Sequence, residues 1–309
     1  MSDNFKTFVV INPNSANRRT LNEWPLIEQE LKRNLGGFGV EFTSGPDEAT
    51  KITRSALKDG YEMIVCVGGD GTNNEVINGF FEDDKMINPQ SVFGMICRGT
   101  GSDLRKTLGI PRDIIEAAKV LGGKKIKACD LGKTTFINHQ GKETGRYFIN
   151  IADFGIGGEA VDRVNKTTKI FGGFISFLWA TLVTSFIYRN KRVQLKIDDE
   201  SFKEEFIKNV VVANGKFFGG GMQIAPRAKM DDGVFEIVVL GNLGWVEGFL
   251  VMRKIYKGEI IKNKKVRYSS AKRVMATSEQ RVLLDLDGEQ PGMLPATFEI
   301  IPQVIKVKV

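Results

Sequence analysis

A glycine-rich segment with two acids and several small polar residues follows a short apolar run in the first third of this 309-residue chain. It comprises Gly68, Gly69, Asp70, Gly71, Thr72, Asn73, Asn74 and Glu75. The segment 61–67, which contains the apolar stretch 63–66, predicts a buried strand, and the spacing of apolar residues from Val76 to Phe81 predicts a helix. The glycines therefore lie at a strand-to-helix turn, where the backbone can approach a ligand closely.

This turn has the features of a phosphate-binding site. Thr72 as N-cap and Glu75 three residues later fit a capping box, and free amides at a helix N-terminus attract phosphate. Asp70 would repel a phosphate unless a cation lay between them, so the segment predicts a site for a metal–nucleotide complex. The alternative is an ordinary strand–helix turn in which Asp70 caps a neighbouring group. Three glycines, an acid and a cap so close together argue against it.

The residues Gly68-Gly69-Asp70-Gly71-Thr72 resemble the nucleotide-binding signature of lipid kinases of the diacylglycerol and sphingosine kinase type. NAD kinases and 6-phosphofructokinases carry related versions. The resemblance implies that 68–74 bind the phosphates of ATP and that Asp70 organises Mg²⁺. Asp70 is therefore a candidate catalytic residue as well as a nucleotide-binding one.

Two further segments follow predicted strands and resemble elements of the same family. Asn12-Pro13-Asn14-Ser15 is similar to its Asn-Pro-x-Ser-Gly start, with Ala16 in place of the glycine. The turn 98–103 is similar to its Gly-Thr-x-Asn-Asp element, with Ser102 in place of Asn and Cys97 in place of a proline. A generic turn at 12–16 and an ordinary strand-end threonine at 43 are the alternatives. The resemblance implies ATP contacts from Asn12, Pro13, Asn14, Ser15, Ala16, Thr43 and Thr100.

The loop 214–233 is rich in turn residues and ends in Asp231-Asp232-Gly233 before a predicted strand. Such an acidic tip can bind a hard cation through carboxylate and carbonyl oxygens. A hairpin with an Asp-Gly turn is an equally good interpretation. The family resemblance implies a structural Mg²⁺ on Asp232 and on the backbone carbonyls of Lys229 and Val234.

A second acidic segment, Asp287-Gly288-Glu289, follows the predicted strand 282–286. In that strand, apolar residues at 282, 284 and 286 alternate with Leu283, Asp285 and Asp287, which predicts one buried face. A carboxylate on a loop can accept the proton of an attacking hydroxyl, although surface turns often contain the same residues. The resemblance implies that Glu289 is the general base.

The composition limits the classes of function. Charged residues make up 26% and hydrophobic residues 42%, as in globular proteins. The sequence does not begin with a basic segment followed by an apolar one, so a secretory signal is not expected. The cysteines Cys66, Cys97 and Cys129 are widely spaced and predict buried, reduced thiols in a cytoplasmic protein. The single histidine, His139, lies in a polar stretch and is expected in a loop, which argues against catalytic triads and zinc sites.

The net charge of +7 indicates anionic partners. Much of the excess lies in 253–273, where nine basic residues accompany one acid, Glu259. A solvated surface and adhesion to anionic lipid headgroups are equally good interpretations. Nucleic acid is a poorer candidate, because no aromatic stacking motif or recognition helix accompanies the charge.

The segment 170–188 contains no charged residue and is long enough to span a membrane. It also contains several Gly, Ser and Thr residues and stands alone in mid-chain. A buried helix, or one that lines a pocket for an acyl chain, is therefore the preferred interpretation.

Strand and helix patterns alternate through residues 1–130 and predict an N-terminal doubly wound α/β nucleotide-binding domain, with ligands at the carboxyl ends of its parallel strands. From 131 to 302, strands and glycine turns predominate and predict a C-terminal β-sandwich-like domain for lipid substrate and metal. The tail 303–309 is expected to return to the first domain. Helices are expected in the second domain only around 171–188 and 246–256.

Together these features predict an ATP-dependent lipid kinase that transfers the γ-phosphate to a lipid hydroxyl, with diacylglycerol as the preferred acceptor. The expected cofactors are ATP and Mg²⁺. The expected partner is a lipid at a membrane surface, contacted peripherally from the cytoplasm; a homodimer is compatible with the sequence, and no nucleic-acid partner is expected. The alternatives are an NAD kinase-like enzyme and a non-catalytic nucleotide- or lipid-binding protein of the same fold.

Overall fold

The computed structural model describes residues 5–99, 101–167, 184 and 187–309. The chain divides into two compact units: Met1–Cys129 with Gln303–Val309, and Asp130–Pro302. The first is an α/β unit with a parallel sheet, and the second is built mainly of antiparallel strands. The predicted fold class, an N-terminal doubly wound α/β domain and a C-terminal β-sandwich-like domain, is confirmed.

The first unit alternates strands and helices along the chain. Its elements are β1 Thr7–Ile11, α1 Arg19–Leu35, β2 Phe38–Phe42, α2 Glu48–Lys58, β3 Met63–Gly68, α3 Asp70–Gly79, β4 Phe81–Glu82, β5 Lys85–Met86, β6 Val92–Cys97, α4 Asp103–Leu108 and α5 Ile114–Gly122. Strands β3 and β6 are buried along their whole length, as apolar runs covered on both faces by helices should be.

The parallel sheet of this unit has the strand order β2-β1-β3-β6. Near the C-terminus of the chain, Lys306 and Val307 pair in parallel with Val92 and Phe93 of β6. Helix α1 packs against α5, and α2 packs against α3. Because all these strands run the same way, their carboxyl ends meet at one edge of the sheet.

The second unit, together with the strands that enter and leave it, contains two antiparallel sheets. Its elements are β7 Ile126–Asn138, β8 Glu143–Phe148, β9 Ile151–Gly155, α6 Ile156–Thr167, β10 Lys191–Ile197, β11 Lys203–Ile207, β12 Asn209–Ala213, β13 Phe235–Leu240, α7 Trp245–Tyr256, β14 Val266–Ala271, β15 Arg273–Thr277, β16 Leu284–Leu286 and β17 Gly292–Lys308. One sheet has the order β14-β13-β12-β9-β16, and the other contains β11-β10-β15-β17 with β7 and β8.

Side chains from both sheets form one buried apolar cluster. The ring of Phe154 in β9 stacks on Phe298 in β17, with 5.8 Å between ring centroids. Phe148 in β8 stacks on Phe235 in β13 at 5.6 Å. Alternate residues of each strand therefore point into a shared core, which is the packing of a β-sandwich.

Several sequence-based expectations differ from the structure of this unit. The predicted strand 146–152 is two strands, β8 and β9, that are separated at Ile149–Asn150. The expectation of helices only around 171–188 and 246–256 is wrong, because α6 follows β9 directly. The predicted single buried face at 282–286 is also wrong: Leu283 is 0% exposed and Asp285 is 9% exposed. Helix α6 packs on β16 and covers the second face.

Some simpler expectations are confirmed. All three cysteines are buried free thiols. His139 lies in the turn between β7 and β8, where its Nε2 is 2.7 Å from Oε1 of Gln290. Within the described residues, no helix is long and apolar enough to cross a membrane. The predicted helix at 171–188 falls almost entirely outside them.

Candidate active site

Backbone hydrogen bonds bring the ends of four parallel strands together in the first unit. The amide of Asn12, after β1, donates to the carbonyl of Val67 at 3.0 Å, and the amide of Thr43, after β2, donates to Ile11 at 2.8 Å. The amide of Arg98, after β6, donates to Gly68 at 2.7 Å. The predicted nucleotide-binding segments that follow these strands therefore share one edge of the sheet.

The segment after β1 is held by its own polar side chains. Asn12 Nδ2 donates to Oγ1 of Thr72 at 3.0 Å, which ties this turn to α3. Asn12 Oδ1 accepts the amide of Asn14 at 3.0 Å, and Ser15 Oγ donates to the Asn12 carbonyl at 2.9 Å. Ala16 has φ +52°, in the left-handed region that favours glycine. Ala16 thus adopts this conformation at a cost that glycine would not have.

The two glycine turns of the unit lie directly against each other. A Cβ atom on Gly99 would be 2.7 Å from the Cα of Gly69, and a Cβ on Gly69 would be 3.2 Å from the Cα of Gly99. Only residues without a side chain allow this approach. Ser102 Oγ donates to the Gly99 carbonyl at 2.8 Å and helps to hold the second turn. Thr100, a predicted ATP contact, lies outside the described residues.

Helix α3 begins at Asp70, two residues before the predicted N-cap Thr72. Its N-cap is Gly69, and no side chain among the described residues caps it. The predicted capping box is therefore wrong. Thr72 accepts a hydrogen bond from Asn12 instead, and the Glu75 carboxylate accepts the amide of Ala49 in the first turn of α2 at 3.2 Å.

The first turn of α3 has no side-chain cap among the described residues, and the helix dipole favours negative charge there. The Asp70 carboxylate accepts the amide of Asp103, at the start of α4, at 3.3 Å. Asp103 in turn accepts from Nζ of Lys106 at 2.9 Å. Asn73, also in this turn, is 1% exposed, and its side-chain amide has no hydrogen-bond partner among the described residues. A buried amide of this kind is a candidate ligand contact.

Two cysteines near this turn have unreactive thiols. Burial raises the pKa of the Cys66 thiol well above its ordinary value, and the charges of Glu75 and Asp70 add to that effect. Burial and then the Asp70 charge raise the pKa of Cys97 to about 11. Both thiols stay protonated at neutral pH, so neither is a nucleophile.

In the second unit, the predicted metal-binding residues lie on one exposed turn before β13. Asp232 is exposed, and its Oδ1 accepts the amide of Val234 at 3.3 Å. Asp130, which the sequence analysis missed, is 0% exposed; its Oδ2 accepts the amide of Gly233 at 2.8 Å. Lys229 is exposed at the start of the turn. Carboxylate and carbonyl oxygens are the donors of a hard-cation site, so this donor set fits Mg²⁺.

Glu289 lies at the end of a tight turn after β16. Leu286 and Glu289 exchange backbone hydrogen bonds of 2.8 and 3.0 Å. The turn is held by two carboxylates: Asp285 Oδ1 accepts the amide of Gly288 at 2.7 Å, and Asp287 accepts the amides of residues 149, 150 and 151 at 2.8 to 2.9 Å. Asp285 and Asp287 therefore bind backbone, whereas Glu289 is partly exposed.

Removal of the Asp287 carboxylate is expected to destabilise the second unit. Asp287→Ala leaves three amides of the β8–β9 junction without their acceptor, and we expect a loss of about 3 kcal/mol in the free energy of unfolding. Urea denaturation checks this. Glu289→Gln is the matched control and should change stability by less than about 0.5 kcal/mol. Equal stability of Asp287→Ala and wild type would show that the Asp287 carboxylate does not stabilise the β8–β9 junction.

Asp285 also forms a pair of buried acids with Asp153. Asp153 and Asp285 stand opposite each other in the antiparallel pair β9–β16. Burial raises the pKa of Asp153 to about 7, against the influence of the Asn209 side chain, which lowers it. Burial and then the Asp153 charge raise the pKa of Asp285 well above its ordinary value. The pair therefore holds protons in the folded protein that the unfolded chain would release.

This pair predicts a pH dependence of stability. Because the folded pKa values exceed the unfolded value of about 3.9, the folded state binds more protons, and stability falls as pH rises from about 4 to about 7. We expect wild type to lose on the order of 2 kcal/mol more than Asp153→Asn between about pH 5 and about pH 8. Urea denaturation at the two pH values measures this difference. The exposed Asp199→Asn should keep the wild-type slope, and an unchanged slope in Asp153→Asn would refute the assignment.

Both units match known protein families. Residues 6–134 match the diacylglycerol kinase catalytic domain, and residues 150–309 match the YegS C-terminal NAD kinase beta sandwich-like domain. A diacylglycerol kinase of Staphylococcus carnosus is 31% identical over 302 residues, which cover 97% of this chain and 93% of that protein. A diacylglycerol kinase of Bacillus subtilis is 28% identical over 291 residues, which cover 94% and 91%.

A solved structure has the same fold. The crystal structure of a diacylglycerol kinase from Bacillus anthracis superposes with a TM-score of 0.73 at 20% identity and covers 100% of this chain and 98% of that one. The match to the catalytic domain and the curated relatives make the chain a kinase-type enzyme. The chain belongs to the diacylglycerol kinase family.

Proposed function

We propose that this protein is an ATP-dependent lipid kinase that transfers the γ-phosphate of ATP to the hydroxyl of diacylglycerol. The observation that carries the proposal is the convergence of four strand ends on the uncapped first turn of α3, in a chain whose curated relatives are named diacylglycerol kinase. We expect the enzyme to work at the inner membrane surface, because a membrane lipid and cytoplasmic ATP meet there.

The nucleotide is assigned to the first unit. The amides of Asp70, Gly71 and Thr72 belong to the first turn of a ten-residue helix, where a phosphate is stabilised by N–H groups and by the helix dipole. The side-chain amide of Asn73, which has no partner among the residues that the structure describes, gives this turn a further donor and acceptor. We also assign ATP contacts to the residues that follow β1 and β2 at the same edge, and to Thr100. The former are Asn12, Pro13, Asn14, Ser15, Ala16 and Thr43.

The metal assignments follow from the donor sets. Asp70 offers a carboxylate at the turn that would hold the phosphates, and Asp232 offers one on the turn that also carries the carbonyls of Lys229 and Val234. Mg²⁺, when bound, neutralises charge on the transferring phosphoryl group or orders the loop on which it sits. The second site would have a structural role, because Asp232 lies on an exposed turn with no nucleophile or base assigned to it.

The general base is assigned to Glu289. The hydroxyl oxygen of the lipid attacks the γ-phosphorus, the bond from that phosphorus to the β–γ bridging oxygen breaks, and the hydroxyl proton passes to the Glu289 carboxylate. Asp285 and Asp287 are poorer bases, since both already accept backbone amides and both are less than 10% exposed. Their role is to position the turn that carries Glu289.

A consumption assay tests the proposal against its alternatives. Purified protein is incubated with ATP and Mg²⁺ and with dispersed diacylglycerol, with NAD, or with no acceptor, and ADP is measured. ADP release that depends on diacylglycerol supports the proposal. Release that depends on NAD would make the protein an NAD kinase-like enzyme, and ATP binding without turnover on any lipid would make it a non-catalytic binding protein.

A further inference from the structure

Helix α7 presents large apolar side chains to solvent. Trp245, Val246, Phe249 and Leu250 are 54%, 60%, 53% and 52% exposed. At 100° per residue these four positions lie within an arc of about 140° on one side of the helix. We refer to these four residues as the α7 patch. Adjacent exposure of four such side chains is unusual for a surface that meets only water.

The patch faces outward because the opposite side of α7 is already packed. Val251 and Ile255 are 4% and 5% exposed and belong to an apolar cluster that extends into β12 and β13. The start of the helix is fixed by Glu247, whose carboxylate accepts the amide of Gly244 at 2.8 Å. Rotation of α7 to bury the patch would expose the packed side, so the four side chains stay largely exposed.

Basic side chains follow the patch along the chain. Arg253 lies within the same arc of α7, and Lys257 is the residue that follows the last turn of the helix. Lys254, Lys262 and Lys264 follow at its edge and in the next loop. None of these five cations forms an ion pair with any residue that the structure describes. By contrast, Lys265 and Arg267 are paired with Glu247 and Glu205 at 2.6 and 2.7 Å.

An apolar patch next to unpaired cations matches the interface of an anionic bilayer. Trp, Phe and Leu side chains insert at the boundary of headgroups and acyl chains, while Arg and Lys contact anionic headgroups. A second copy of the chain is a poorer partner, since a two-fold contact through the patch would bring the same cations of both subunits together. An acidic protein would neutralise the cations but would leave the patch dependent on a specific apolar complement.

We propose that the α7 patch inserts into the surface of an anionic lipid bilayer and that Arg253, Lys254, Lys257, Lys262 and Lys264 bind its headgroups. This surface deepens the proposed function, because a kinase for a membrane-resident lipid must reach its acceptor there. It also selects between the two interpretations of the basic stretch 253–273 in favour of lipid headgroups.

Vesicle co-sedimentation tests the proposal without nucleotide or diacylglycerol, so its outcome does not depend on kinase activity. We expect wild type to bind vesicles of phosphatidylcholine and phosphatidylglycerol and to be released when salt is raised from about 0.15 M to about 1 M. Trp245→Ser/Phe249→Ser should bind at least about tenfold more weakly. Arg253→Gln/Lys257→Gln should bind these anionic vesicles about tenfold more weakly than wild type does.

The matched control is Leu21→Ser/Leu26→Ser, which removes two exposed apolar side chains from α1 and should bind within twofold of wild type. Thermal melting establishes that each variant is folded. Unchanged vesicle binding by folded Trp245→Ser/Phe249→Ser would overturn the proposal. So would conversion of a dimer to a monomer by that variant in sedimentation velocity, which would make the patch a subunit contact.

Tryptophan emission gives a second test that needs no destabilising change. Transfer of Trp245 into the bilayer interface should shift wild-type emission to shorter wavelength when vesicles are added. Trp245→Phe should remain bound and lose most of that shift. A full shift in Trp245→Phe would overturn the proposal. Turnover of a water-dispersed short-chain diacylglycerol by Trp245→Ser/Phe249→Ser tests the kinase assignment separately.

Discussion

Glu289→Gln is expected to lower the rate of phosphate transfer by about 10²–10⁴-fold and to leave nucleotide affinity unchanged. Glutamine keeps the size and hydrogen-bonding reach of glutamate but cannot accept the hydroxyl proton. The turn that carries residue 289 should stay in place, because the carboxylates of Asp285 and Asp287 hold it through hydrogen bonds to backbone amides. Turnover with ATP and diacylglycerol, and ATP affinity by calorimetry, measure the two quantities.

The comparison with Asp285→Asn and Asp287→Asn decides which carboxylate is the base. These two variants should lose activity only to the extent that they lose stability, since the parent side chains bind backbone amides. Full activity of Glu289→Gln together with an inactive, stable neighbour would mean that the neighbour is the base. Loss of ATP binding in all three variants would make the whole turn structural.

Asp70→Asn is expected to fold normally and to reduce turnover by at least about a hundredfold, because a metal ion at the phosphates is worth several kcal/mol of charge stabilisation. An asparagine oxygen can still accept the Asp103 amide that now binds the Asp70 carboxylate, so the start of α4 should not move. What the amide cannot supply is the negative charge that attracts the cation. Steady-state kinetics over a range of Mg²⁺ concentrations measure the effect.

The control for this variant is Asp83→Asn, which removes an exposed acid from the turn between β4 and β5. It should have wild-type kinetics and wild-type Mg²⁺ dependence. Near wild-type activity of Asp70→Asn, with an unchanged Mg²⁺ requirement, would show that Asp70 does not organise the metal.

The sequence was sufficient to predict the nucleotide-binding edge because its elements are local. A buried strand followed by glycines and then by an apolar helical pattern defines each strand-to-helix turn within about ten residues. Parallel strands then bring the turns together, since their carboxyl ends share one edge. The resemblance of the turn at Asp70 to a known family added the chemistry.

The parts that the sequence did not reveal depend on contacts between distant segments. Glu75 follows Thr72 at capping-box spacing, yet its carboxylate caps α2, which packs beside α3. Asp287 looked like one of three similar acids in a turn, and only the β8–β9 junction shows that its carboxylate accepts three amides. Asp130 is a single acid at the end of an unremarkable stretch, and its partner Gly233 lies about a hundred residues away. No local pattern reports such pairings.

The most direct test of the account is the fate of the γ-phosphate. Wild-type protein is incubated with γ-labelled ATP, Mg²⁺ and a panel of diacylglycerol, sphingosine-like bases and phosphatidylglycerol, and the lipid products are separated by chromatography. We expect label in phosphorylated diacylglycerol, and at least about a hundredfold less of it per unit time when Glu289→Gln replaces wild type. Absence of label from every lipid, or label that appears in NADP when NAD is supplied, would contradict it.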